Sequence, residues 1–246
     1  RNIPGHHCHH VIKNIFCNVL WRLFRVHYLY SSSTNVTGMP NLLLVGSTKG
    51  VGHAVKESLD PSWQQWTASR HPSEEASARH VAWDAAQAPF PEGFLPETLH
   101  GLVYCPGSIR LQPFSKLRDE DYREDLDLNL LGAVRAIRAA LPAMKAAGEA
   151  SIVLFSTVAV STGMPMHASV AAAKGAVEGF ARSLAAELAP ATRVNVIAPS
   201  LTDTPLASGL LRSERQREAA GARHPLGRVG EPSDIAAAVR YLLSRD

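Results

Sequence analysis

A chain of 246 residues, 46% hydrophobic and 19% charged, holds enough material for one sizeable core and at most one domain plus an appendage. Cys8, Cys17 and Cys105 are too few and too scattered for a disulfide framework, and no CxxC spacing suggests zinc; this favours a reducing, cytoplasmic setting and predicts no metal site. Residues 1–39 carry four basic residues and no acid, so the remainder is at −1 where the whole is at +3, which gives no electrostatic argument for a nucleic-acid partner.

Residues 1–39 read as an N-terminal extension, disordered or an amphipathic helix. The His6–His10 cluster has imidazoles but no carboxylate or second set of supporting groups, and disorder is the better reading. From Val11 to Tyr30, Ile12, Phe16, Val19, Leu23, Val26 and Tyr30 share roughly one helical face. That pattern suits a membrane surface or a transit-like address, while Lys13, Arg22 and Arg25 interrupt any membrane span. Upstream sequence read through is the plainer alternative, because Met39 stands just before a well-formed strand.

From Asn41 onward, short apolar β-type runs alternate with longer Ala- and Leu-rich stretches. Strands are expected at Asn41–Gly46, Trp63–Ser69, His80–Trp83, Gly101–Cys105, Ser151–Ser156 and Arg193–Ala198. Helices are expected after the first strand and at Asp119–Ala147, Met166–Leu188 and Pro232–Ser244. Such alternation implies βαβ units and a parallel sheet covered on both faces: an α/β, Rossmann-type doubly wound domain over residues 40–246.

The first strand runs into "VGSTKGVGHAV", where Gly46, Gly50 and Gly52 permit a tight turn and close approach of a pyrophosphate to free N–H groups at a helix start. Ser47, Lys49 and Val51 belong to the same turn. The next strand ends in Ser69-Arg70, about 20 residues on, where an acid would grip a ribose 2′-hydroxyl and an arginine a 2′-phosphate. With Lys49 as a second cation, NADP(H) is expected over NAD(H).

The order of these features resembles the short-chain dehydrogenase/reductase family over about residues 40–246. "VGSTKGVG" is similar to its TGxxxGxG turn, with Val45 for threonine, and Asp84 in "VAWD" to the aspartate beside the adenine. Asn129 in "DLDLNLLGAV" resembles the family's helix asparagine, "FSTVAV" its serine strand end, and "RVNVIAPSLTDTPL" and "HPLGRVGEPSDIAAAVRYLLS" its substrate-loop and late-helix segments. Three motifs depart from the pattern: NNAG stands as Tyr104-Cys-Pro106-Gly107, and the PG turn as Pro199-Ser200. The family's YxxxK has become Val170-Ala-Ala-Ala-Lys174.

The resemblance implies a cofactor held by the glycine turn, Ser69, Arg70, Asp84, Pro106, Gly107, Lys174, Pro199, Thr202 and Thr204. It further implies that Asn129 anchors a water relay, that Thr157 or neighbouring Ser156 holds a carbonyl, and that Lys174 holds the ribose. The proton donor is missing, since valine has no ionisable hydrogen and a positioned general acid is worth about 10² to 10⁴ in rate. His167, three residues before Val170, is the stand-in candidate; on a helix it would share that face, and imidazole titrates near neutrality. Its alternative is to cap or pack the helix start. Ser169 is expected to turn about 100° away. Tyr104 either reaches the cofactor or packs on the sheet.

Two functions stay open: an NADP(H)-dependent oxidoreductase on a carbonyl or hydroxyl group, and an inactive NADP(H)-binding protein with a regulatory or partner-subunit role. Either implies a small-molecule ligand, a homodimer or homotetramer, and a lid at Leu201–His224 whose Leu206, Leu210 and Leu211 form an apolar wall. Family members continue past the equivalent of "YLLSRD" into a further strand, so the chain reads as cut short, with Arg193–Ala198 left as a sheet edge.

Overall fold

The computed structural model describes residues 39–70 and 79–245. The His6–His10 cluster and the Val11–Tyr30 segment lie outside these residues.

Six strands form one parallel sheet: β1 (Asn41–Val45), β2 (Gln64–Ser69), β3 (His80–Ala82), β4 (Gly101–Tyr104), β5 (Ala150–Phe155) and β6 (Thr192–Ile197). Their ends fall within one residue of the apolar runs that foretell them. The spatial order is β3-β2-β1-β4-β5-β6. Parallel neighbours cannot be joined by tight hairpins, so the connections cross over the faces, and the strand order reverses between β1 and β4. A crevice opens there, beyond the carboxyl ends of the strands.

Among the described residues seven α-helices accompany the sheet: α1 (Gly50–Ser58), α2 (Asp119–Leu126), α3 (Gly132–Ala147), α4 (Ala159–Thr162), α5 (Ala168–Leu188), α6 (Glu214–Gly221) and α7 (Pro232–Leu243). Successive side chains of a strand point to opposite faces, and β1 divides accordingly. Leu43 and Val45 join α3 and α5 through Ala136, Ala140, Val177 and Ala181. Leu42 and Leu44 join α1 and α7 through Val55, Val239 and Leu243. Alanines at the spacing of 133, 136 and 140 leave α3 a smooth face that lies close on the sheet. Among the described residues β6 pairs only with β5, so it borders the sheet, as its sequence suggests.

The stretch Asp119–Ala147, expected as one regular helix, is interrupted. Residues Asp127–Leu131 form a π turn between α2 and α3. Side chains engage carbonyls in the turn and just before it: Tyr104 Oη donates to Leu128 O at 2.6 Å, and Asn129 Nδ2 donates to Asp125 O at 2.8 Å. Gly132 makes this possible, because a Cβ there would stand 2.1 Å from Tyr104 Oη. π turns of this kind mark functional sites more often than chance. Among the described residues no helix is long and apolar enough to cross a membrane.

Candidate active site

A cleft of about 350 Å³ occupies the crevice at the strand ends. Its floor is the turn after β1, with Gly46, Thr48, Lys49, Gly50, Val51 and Gly52 all on its wall. Gly52 is sterically obligatory, since a Cβ there would lie 2.1 Å from Gly46 O and 2.8 Å from Gly46 C. Both are backbone atoms of the turn itself, so no side-chain movement relieves the clash. The helix that begins there, α1, has no acid in its first turn and no side-chain cap, which leaves its N-terminal N–H groups facing the cleft.

Around the mouth, Ser69 and Arg70 end β2, Trp83 and Ala85 follow β3, and Cys105, Pro106 and Gly107 follow β4. Thr204, Pro205 and Leu206 close over the turn from the other side. Ser69 is buried while Lys49 and Arg70 are exposed, and neither cation has an ion-pair partner among the described residues. Asp84 stands between two lining residues, but its carboxylate accepts the Ala86 N–H at 3.0 Å and so fixes the turn. Ser47 is buried beneath the glycines. Pro199 O accepts from Val158 N at 3.1 Å, and Thr202 bridges Gly230, so these two secure the loop without lining the cleft. Trp83, Ala85, Cys105 and Leu128 line the cleft although sequence reasoning missed them. Two of them had a signal there: Trp83 as the bulky neighbour of Asp84 in "VAWD", and Cys105 inside the Tyr104-to-Gly107 motif.

Behind Gly107 the expected chemical residues converge. A Cβ on Gly107 would stand 3.2 Å from both Asn129 Oδ1 and Lys174 Nζ, so glycine is what lets the two approach the cleft wall. Lys174 is buried on α5 and donates to Phe155 O at 3.0 Å. Burial pushes its pKa down to about 8, opposed by Cys105 and Asp125. The Cys105 thiol is itself pushed up to about 12 by burial, with Lys174 opposing. Asn129 Oδ1 is buried with no hydrogen-bond partner.

Ser156 and Thr157 differ in what their hydroxyls engage. Ser156 Oγ donates to Glu178 Oε1 at 2.7 Å, one turn beyond Lys174 on α5. Thr157 Oγ1 only accepts, from Ala159 N at 3.3 Å, and keeps its proton available. Val170 lies buried one turn before Lys174.

His167 stands at the N-cap position of α5, which begins at Ala168, the helix-start placement that the sequence offers as its alternative role. Its Nδ1 donates to Pro165 O at 2.7 Å, which leaves Nε2 without a proton when the ring is neutral. The side chain makes no capping bond. Tyr104 is also turned away from the cleft: its proton goes to Leu128 O, and burial raises its pKa above the ordinary value. In the loop from Leu201 to His224, Leu206 lines the cleft, whereas Leu211 is buried against Ala207 and Ala220.

This geometry agrees with the comparisons. A family model described as enoyl-(acyl carrier protein) reductase matches residues 80–246. A tropinone reductase homolog of Arabidopsis thaliana is 31% identical over 228 residues, covering 82% of this chain and 85% of that protein. The chain belongs to the short-chain dehydrogenase/reductase family. Short-chain dehydrogenases/reductases are NAD(P)-dependent oxidoreductases. A 3-oxoacyl-[acyl-carrier-protein] reductase of Thermotoga maritima is 35% identical over 144 residues, 58% of each chain. Among solved short-chain dehydrogenase/reductase folds, a Thermus thermophilus protein superposes with a TM-score of 0.76 at 28% identity, covering 84% of this chain and 91% of that one. The aldohexose dehydrogenase of Thermoplasma acidophilum gives 0.74 at 25%, covering 85% and 88%.

Proposed function

We propose that the protein is an NADP(H)-dependent oxidoreductase that reduces a carbonyl group or oxidises the corresponding alcohol. The observation that carries this reading is the convergence of Asn129, Lys174 and the Gly107 wall at the inner end of a cleft whose outer end carries Lys49 and Arg70. The residues fit a dinucleotide: Gly52 removes the Cβ that would fill the turn, and the α1 N-terminus offers donors to a pyrophosphate. Ser69 stands where an NAD-selecting acid would, and Arg70 and Lys49 would pair with a 2′-phosphate. Each such charge-assisted bond is worth about 1.5 to 3 kcal/mol.

When bound, the nicotinamide supplies or accepts hydride at the substrate carbon. The chain's own part is to orient and to manage the proton. Thr157 donates to the substrate oxygen, Lys174 holds the ribose as an ammonium, and Pro106 and Gly107 exclude water from the inner wall. Val170 takes the position of the family's proton donor and supplies none. The substrate oxygen therefore takes its proton from solvent or from His167, and turnover is slowed by about 10² to 10⁴ relative to a complete site.

Burial of an apolar side chain at position 170 also favours a second reading, an NADP(H)-binding protein without turnover that serves a regulatory or partner-subunit role. By family resemblance, either form is a cytoplasmic homodimer or homotetramer. Titration with NADPH and NADH, followed by NADPH consumption over a panel of ketones, quinones and acyl thioesters, tests both. Tighter NADPH binding with measurable consumption supports the enzyme. Tight binding with no consumption supports the binding protein, and NADH binding as tight as NADPH defeats the cofactor assignment.

A further inference from the structure

Beside the cleft lies a polar cluster that the reaction as described does not use. Asp125, in the last turn of α2, is almost fully buried. Its Oδ1 accepts from Ser108 Oγ at 2.6 Å, and its Oδ2 accepts from Ser169 Oγ and lies 3.7 Å from Arg110 Nε. Arg110 also pairs with Asp121 and Glu124, which anchors the cluster to α2. Ser169 is the residue next to Val170, turned onto α2 and away from the cleft, as its helical angle foretells.

The direction of each hydrogen bond follows from one fact: a carboxylate only accepts. Ser108 has a single proton, and Asp125 takes it. The Ser108 oxygen must then accept, and it does so from Asn129 Nδ2 at 2.9 Å. The second amide proton of Asn129 goes to Asp125 O at 2.8 Å. With both protons committed on this side, Asn129 Oδ1 is left facing Gly107 and the neighbourhood of Lys174 Nζ, buried and without a donor. The reversed amide would turn N–H groups toward an ammonium and set two acceptors against each other.

We propose that Asp125 is a positioning residue for Lys174: by taking the Ser108 proton, it fixes the Asn129 amide with its carbonyl oxygen toward the lysine. An acceptor on that side favours the charged lysine, either directly or through one water. The other charged groups around Lys174 are accounted for. Cys105 faces it from the end of β4. Asp127 in the π turn pairs with Arg135, and Glu178 on α5 pairs with Arg182. Arg193 on β6 is held by the Leu242 and Ser244 carbonyls, while β5 and α4 carry no titratable side chain.

The proposal rests on the oxidoreductase reading for its catalytic consequence, but its physical content is read without turnover. The test is an NMR titration of the full chain with 13C-labelled lysine side chains, Lys174 being assigned by Lys174→Arg. Ser108→Ala removes the directing acceptor and leaves the Asp125 charge in place. The expected result is a fall of about one unit in the Lys174 midpoint, a tenfold loss of proton affinity, with Ser108→Thr restoring the wild-type value. Asp125→Asn should lower it at least as far.

An unmoved midpoint in Ser108→Ala overturns the proposal. So does a shift confined to Asp125→Asn, because Asp125 would then act by charge alone. Should Asp125→Asn fail to fold, the serine pair decides by itself. Failure to consume NADPH in the wild type would remove the oxidoreductase reading and leave the lysine titration standing.

Discussion

Restoring a phenol at position 170 separates a slowed enzyme from a binding protein. A positioned general acid supplies about 10² to 10⁴ in rate, equivalent to about 3 to 5 kcal/mol. Val170 is 5% exposed, so the ring of Val170→Tyr must turn into the cleft or overpack the helix interface, at a cost of about 1 to 3 kcal/mol in stability. At this chain length that corresponds to a melting temperature lower by about 2 to 4 °C per kcal/mol. Because Asn129, Thr157 and Lys174 are already in place, carbonyl reduction should rise at least about tenfold, a fraction of the available effect.

The pH dependence has a definite sign. Lys174 is pushed down to about 8, so its ammonium is present below that pH and lost above it. The gain in Val170→Tyr depends on that ammonium to favour the phenolate and hold the ribose, so it should be largest near neutrality and decline as pH rises through about 8. The assay is NADPH consumption over a carbonyl panel from pH 6 to pH 9, with NADPH affinity and melting temperature measured on the same samples. His167→Ala serves as the control, and loss of most wild-type activity in it would identify the present donor. If Val170→Tyr binds NADPH, melts within a few degrees of wild type and stays inactive across the whole panel, the oxidoreductase reading fails.

Arg70→Asp should weaken NADPH binding by at least about tenfold while leaving NADH binding nearly unchanged or improved, since a single charge-assisted bond is worth about 1.5 to 3 kcal/mol; equal losses for both cofactors would mean that Arg70 does not read the 2′-phosphate. Gly52→Ala places a Cβ 2.1 Å from Gly46 O and must distort the turn, so NADPH titration should show binding abolished or reduced more than about tenfold, with about 1 to 3 kcal/mol of stability lost. Gly132→Ala collides with Tyr104 Oη and should cost a similar amount in chemical denaturation, and pairing it with Tyr104→Phe should recover part of the loss. Strict additivity of those two changes would show that the hydroxyl and the glycine do not meet.

Much of this protein is legible in one dimension because the signals are local. Short β-type runs of four to seven residues bounded by turns give the six strands within a residue of their ends, and the spacing of Gly46, Gly50 and Gly52 announces a turn that only glycine can make. The cations at 49 and 70 and the valine at 170 are read directly from the letters. The tertiary structure decided what depends on direction. Sequence cannot tell Ser156 from Thr157, because both are hydroxyl residues just past β5 and look alike until Glu178 on α5 engages one of them. It leaves His167 open between the Val170 face and the helix start, and the fold puts it at the N-cap of α5. It shows no link among Ser108, Asp125, Asn129 and Ser169, whose hydrogen bonds span 17 to 44 positions along the chain apart from one backbone contact. Hydrophobic period and turn chemistry are properties of neighbouring residues, so a sequence displays them. The sense of a hydrogen bond between distant side chains depends on which atoms the packed sheet and helices bring within 3 Å, and that is fixed only when the chain has folded.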